Sequence, residues 1–295
     1  MATVRKLTGT PANCSTLRSC SNFSSYCDFT NYSNFTNYSI SPGLTVLLLA
    51  TLLLSSCKSI TTTDTTFPYV FDQAVYAEAP IKQLMIADVN FGAPSKHYLR
   101  EHSTKLDTAV VRALEAAGYT VMPNDAFRTA WRQAVRRYGH PYHPDTSQLN
   151  PAAFQRVMVA TLKALREQGE VDAVVFTDLI ERSVSFGAGS KRAAYWDGVS
   201  RKVRLKGTAR TITEGFDWSQ TVPAISLSVT IYRTSGEHVF KSVGGLEVSR
   251  EIDTRTGNGR FVRREKILKK SRYIEEGTAL ALHPFVEMDR YPGER

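Results

Sequence analysis

Five groups of residues in this 295-residue chain have types and spacings that could carry chemistry. His140-Pro141-Tyr142-His143, with Asp145 close behind, offers two imidazoles and a carboxylate, ligand types that suit zinc and related metals. Pro141 and Pro144 stiffen that loop and no fourth ligand is marked, so it reads as a surface loop and no metal is expected. Gly187-Ala188-Gly189-Ser190 is a short glycine-rich turn without the strand-to-helix context of a phosphate loop. Asp88 and Asp178 each close a strand candidate. Two carboxylates brought to one sheet edge can do acid–base work, although caps and edge charges leave the same pattern. Tyr195-Trp196-Asp197-Gly198 sets adjacent aromatics on opposite faces of a strand, among Arg and Lys residues. Tyr195, Trp196 and Asp197 form a candidate binding surface for a glycan or partner. The alternative is a tight turn flanked by packing aromatics. The last group is the thiol of Cys57. No Ser-His-Asp, Cys-His or zinc-binding constellation occurs, so no catalytic residue and no cofactor is assigned, and the chain is not read as an enzyme.

Cys57 is set apart by what precedes it. Leu44 to Leu54 is an uncharged apolar run. It falls short of the about 20 residues a spanning helix needs, and fits the roughly 7–15 residues of a signal-peptide core. Two small residues follow, then the cysteine. Leu54-Ser55-Ser56-Cys57 resembles the lipobox of bacterial lipoproteins, with cleavage between Ser56 and Cys57. That resemblance implies a thioether from Cys57 to diacylglycerol and a further N-acyl chain. One acyl chain holds a protein only marginally, whereas two or three hold it stably. The alternative is a buried structural cysteine. In the sorting rule known for enterobacterial lipoproteins, Asp after the cysteine retains the protein in the inner membrane. Lys58 therefore favours the outer membrane, facing the periplasm.

The other cysteines, Cys14, Cys20 and Cys27, all precede Cys57, so the body holds no pair for a disulfide and depends on packing. Residues 1–39 are low-complexity, with Asp28 to Ser33 repeated almost unchanged as Asn34 to Ser39. They are expected to be upstream sequence from a misassigned start, with initiation nearer Ile40 to Val46. The Asn-x-Ser/Thr sequons at Asn13, Asn22, Asn31, Asn34 and Asn37 precede the cleavage point and carry no weight. Net charge is +9, of which Arg5, Lys6 and Arg18 against Asp28 account for +2, leaving +7 downstream. A basic surface suits anionic headgroups or nucleic acid. Export argues against nucleic acid as a partner.

The elements that must position these residues follow. Residues 40–56 are the signal peptide, 57–79 a Ser/Thr-rich tether, and 80–290 the folded domain. Ile81 to Phe91 is a strand candidate. Leu106, Val110, Leu114 and Ala117 make a helical stripe, closed by Gly118. Tyr119 to Met122 is a short strand, and Phe127, Trp131 and Val135 align on a helix from Ala126 to Arg137. Asn150 before Pro151 is a helix start, and Gly169 its stop. Val171 to Ile180 is a near-continuous apolar run, the pattern of a central strand, and Arg182 to Phe186 extends it or pairs with it. Trp196 to Lys206 alternates, and Ile225 to Arg233 with His238 to Val243 reads as a hairpin. Arg263 to Lys270 is a charged segment leading into a helix from Ser271 to Leu282. The order predicts one α+β domain, a mixed sheet with helices mainly on one face.

This body resembles the domain of the curli secretion lipoprotein and of the amino-terminal part of TolB, over about residues 80–285. The resemblance rests on Ala116-Ala117-Gly118-Tyr119-Thr120-Val121 after the opening strand, on Val171 to Thr177, and on the hairpin from Ser228 to Val239. It implies a non-enzymatic role in envelope assembly or transport. A curli-type pore needs long lipid-facing hairpins. The stretch from Gly187 to Gln220 carries seven cations, from Lys191 to Arg210, too costly against lipid for the chain to be read as a pore. The expected function is a lipid-anchored structural, assembly or transport-accessory factor with an envelope protein partner or self-association. The alternatives are a lipid-anchored module for a glycan or small ligand, and an anchored hydrolase.

Overall fold

β4 (Ala173–Ser185) begins apolar at both parities, so both of its faces require cover. The computed structural model describes residues 69–88, 94–187, 192–207, 215–255 and 258–292, with backbone alone for 94–97. Within them β4 lies inside a six-stranded mixed sheet, and the chain folds as one α+β domain. β2 (Gln83–Ala87) runs parallel to β4 and to β3 (Thr120–Met122). On the other side β8 (Thr221–Arg233) pairs antiparallel with β4 along its whole length, from Ala173 opposite Arg233 to Ser185 opposite Thr221. β9 (His238–Val248) folds back on β8, and β1 (Val70–Phe71) closes that edge.

Alternation along β2 assigns the helices to both faces. Leu84 and Ile86 join Leu106, Val110 and Leu114 of α2 (Ser103–Ala116) and Ile274 and Ala281 of α5 (Ser271–Leu282) in one core. Met85 and Ala87 point the other way. They meet Phe127 and Trp131 of α3 (Asp125–Tyr138) and Val157 and Leu165 of α4 (Pro151–Gln168). Each fully buried leucine in these cores contributes roughly 1.5–3 kcal/mol. The expectation of helices mainly on one face is thus corrected. Val174 and Val175 are both buried, on opposite sides of one strand, and each needs a layer over it.

Local signals set the helix ends. Asn150 caps α4 by accepting from the Ala153 N–H at 3.1 Å, and Gly169 stops it in the left-handed region at φ +73°. α5 lies so close over β9 that a Cβ on Gly277 would stand 2.6 Å from the Gly245 carbonyl oxygen. Only glycine permits that approach.

Three segments differ from expectation. Residues 69–79, read as tether, belong to the fold. β1 pairs with β9, and Val75 and Tyr76 of α1 (Gln73–Glu78) pack on the first core beside Phe71. Trp196 to Lys206 is not one strand but a hairpin, β5 (Ala193–Trp196) with β6 (Val199–Lys202), followed by β7 (Leu205–Lys206). Residues 250–263, to which the sequence assigned no element, hold β10 (Arg250–Asp253) and β11 (Arg260–Arg263), which form a small sheet with β7. At this end of the molecule Val184, Phe186, Val199, Val222 and Leu280 form a third core. Among the described residues no helix is long and apolar enough to cross a membrane.

Candidate functional site

Tyr195, Trp196 and Asp197 sit on the β5–β6 hairpin. Trp196 lies opposite Val199, so Asp197 and Gly198 are its two turn residues, at φ +39° and +82°. Positive φ at both central positions matches the right-handed twist of the strands they join. Trp196 is 5% exposed, and its indole N–H donates to Ser226 Oγ at 3.1 Å. Ser226 Oγ donates in turn to Asp197 Oδ2 at 2.7 Å, and Arg182 Nε donates to the same oxygen at 3.0 Å. The Asp197 carbonyl accepts from the Gly245 N–H at 2.8 Å. Of the three residues, only Tyr195, 44% exposed, offers a ring face to solvent. Trp196 and Asp197 hold the hairpin to the sheet.

The other sequence candidates lie apart. In the His140–Asp145 loop, His140 Nδ1 accepts from the Tyr142 N–H at 3.2 Å and stays exposed. Among the described residues no group of three or more His, Cys, Asp or Glu side chains is placed to hold a metal ion. Asp88 accepts from Arg128 Nε at 2.8 Å and from Asn124, which ties the end of β2 to the start of α3. Asp178 has a different neighbour, Tyr142. Burial first, and then the charge of Asp178, raise the pKa of that phenol. Ala188, Gly189 and Ser190 lie outside the described residues, as do Ser56 and Cys57.

Sequence reasoning missed a cleft of about 240 Å³ between β6, β9 and the first turn of α5. Its floor holds two buried guanidinium groups. Arg264 is paired with Glu247 at 2.7 Å, each side chain 3% exposed, and donates to the Val248 carbonyl at 2.7 Å and the Lys266 carbonyl at 2.9 Å. Its Nε is buried with no hydrogen-bond partner. Arg201 donates through Nε to the Leu246 carbonyl at 2.9 Å and stacks on the Tyr273 ring at 3.9 Å. Its terminal nitrogen stands 3.0 Å from Glu276 Oε2, at ion-pair distance but off the line of a hydrogen bond. The rim adds Lys202, Arg204, Arg250 and Lys270. No carboxylate of the described residues pairs with any of these four. The available signal was the run Arg201-Lys202-Val203-Arg204, which alternation assigned to a solvated face although Arg201 is buried.

A wider groove of about 620 Å³ follows the seam between α3 and α4, bordered by Ala130, Ala134, Val159, Ala160 and Ala164 and flanked by Arg137 and Lys163. Val159 in it is 59% exposed. No protein-family model matches the chain, and no curated protein is similar to it in sequence.

Proposed function

We propose that this chain is an exported lipoprotein, held on the cell envelope by lipid on Cys57 and acting without catalysis as a structural, assembly or transport-accessory factor. The observation that carries the reading is Leu54-Ser55-Ser56-Cys57 directly after an uncharged apolar run, with no cysteine following Cys57. Lys58 favours the outer membrane over the inner, with the domain facing the periplasm. β1 begins at Val70, so the segment from Cys57 spans at most roughly 45 Å when fully extended. That length keeps the domain beside the membrane while leaving it free to meet a partner.

The partner is an envelope protein or a second copy of this chain. The α3–α4 seam, a groove bordered by small apolar side chains with Val159 exposed in it, is the first surface at which to look for that contact. The test is crosslinked pulldown from the native envelope, with Cys57→Ala as the mislocalised control. Recovery of an envelope protein, lost in the control, is expected; recovery of none contradicts the reading. The alternative of a lipid-anchored ligand-binding module draws its support from the basic cleft rather than from Trp196.

A further inference from the structure

The cleft beside β6 gathers cations at a cost. Arg201 and Arg264 are both buried, and each has one carboxylate, Glu276 and Glu247 respectively. Lys202, Arg204, Arg250 and Lys270 add four positive charges to the same small concavity without a matching carboxylate among the described residues. Like charges gathered around a low-dielectric floor repel one another. A bound anion would relieve that repulsion.

Two further features point to the same occupant. Arg264 lines the cleft, and its Nε is a buried donor without an acceptor, a costly state that marks this guanidinium as incompletely satisfied by the protein. α5, 12 residues long, starts at the rim. Lys270 occupies its N-cap with no side-chain cap bond, so the first-turn N–H groups carry the positive end of the helix dipole toward this side. The Tyr273 ring holds two of the cations in place, with Arg201 at 3.9 Å and Lys270 at 4.6 Å from its centroid. Volume limits the ligand. About 240 Å³ falls below the roughly 300–1,000 Å³ of pockets for drug-sized molecules. Planar guanidinium forks beside point-charge lysines match tetrahedral oxyanions with several acceptors.

We infer that this cleft is a phosphate-binding site, taking the phosphate of an anionic phospholipid headgroup or of a soluble phosphate ester. The site lies wholly in the folded domain and does not depend on lipid at Cys57.

The full-length chain carrying Cys57→Ala is titrated by calorimetry with inorganic phosphate and with glycerol 3-phosphate at low salt. The same protein is floated with vesicles of phosphatidylcholine, with and without phosphatidylglycerol. Each measurement is repeated on Lys202→Glu/Arg204→Glu, two exposed rim positions whose reversal leaves the core intact. Lys163→Glu/Arg137→Glu, on the α3–α4 seam, makes the same charge change as a control. A charge-assisted hydrogen bond to phosphate contributes enough that the rim variant should bind about tenfold or more weakly. Saturable binding of the soluble esters, weakened in the rim variant and not in the control, supports the site with a soluble ligand. Flotation only with phosphatidylglycerol, weakened in the same variant and competed by phosphate, supports it with a lipid headgroup. No binding in either arm, or binding weakened equally by both double variants, overturns the inference.

Discussion

The indole N–H of Trp196 donates to Ser226 Oγ at 3.1 Å, across from the hairpin to β8. That contact takes the larger of two adjacent aromatics out of solvent and leaves Tyr195 outside. The pair therefore sets a packed ring beside a solvent-facing one at neighbouring positions. Trp196→Ala should cost about 3–5 kcal/mol of folding stability. Tyr195→Ala should stay within about 0.5 kcal/mol of the parent. Urea denaturation of the two variants measures both.

Glu247 and Arg264 are each almost wholly enclosed, and Glu247 also accepts from the Leu268 N–H at 2.7 Å. Removing one partner of a buried pair strands the other charge. Glu247→Ala is expected to lose about 3–5 kcal/mol, and a double substitution of both residues to methionine much less. Thermal denaturation of Glu247→Met, Arg264→Met and the double variant compares them; a double loss as large as the two single losses together would show that the pair is not coupled.

His102 provides a pH dependence. Burial pushes its pKa below the usual imidazole value, with Lys269 and Lys105 acting in the same direction and Glu101 and Glu247 against it. The folded chain therefore resists a proton that the unfolded chain accepts near pH 6.5. Stability from this group is complete above that pH, falls as pH drops through the unfolded value, and levels off below the lowered folded one. His238, lowered chiefly by burial, adds to the same slope. Unfolding free energies between pH 7.5 and 5.5 should decline, and His102→Gln should flatten the decline.

Much of the fold is legible in the residues because its signals are local. Asn150-Pro151 and Gly169 bound α4, and the Leu106, Val110, Leu114 stripe marks α2, since caps and helical periodicity act within a few residues. β1 escapes because two residues cannot display a period. β10 and β11 escape because half-buried four-residue strands carrying Arg and Glu resemble a solvated run. The helix layers were readable in part, as Val174 and Val175 are both apolar and call for cover on two sides. The basic cleft was not. Arg201 and Arg264 lie far apart in sequence and come together only after β9 and α5 place Leu246, Val248 and Tyr273 around them.

The anchor at Cys57 is the central claim, and it rests on a four-residue pattern ending in a single thiol. Mass spectrometry of the protein purified from bacterial membranes tests it most directly. The predicted result is a mature N-terminus at Cys57 carrying diacylglycerol and an amide-linked acyl chain, absent in Cys57→Ala. An unmodified Cys57, or a mature chain that retains Leu54-Ser55-Ser56, would contradict it.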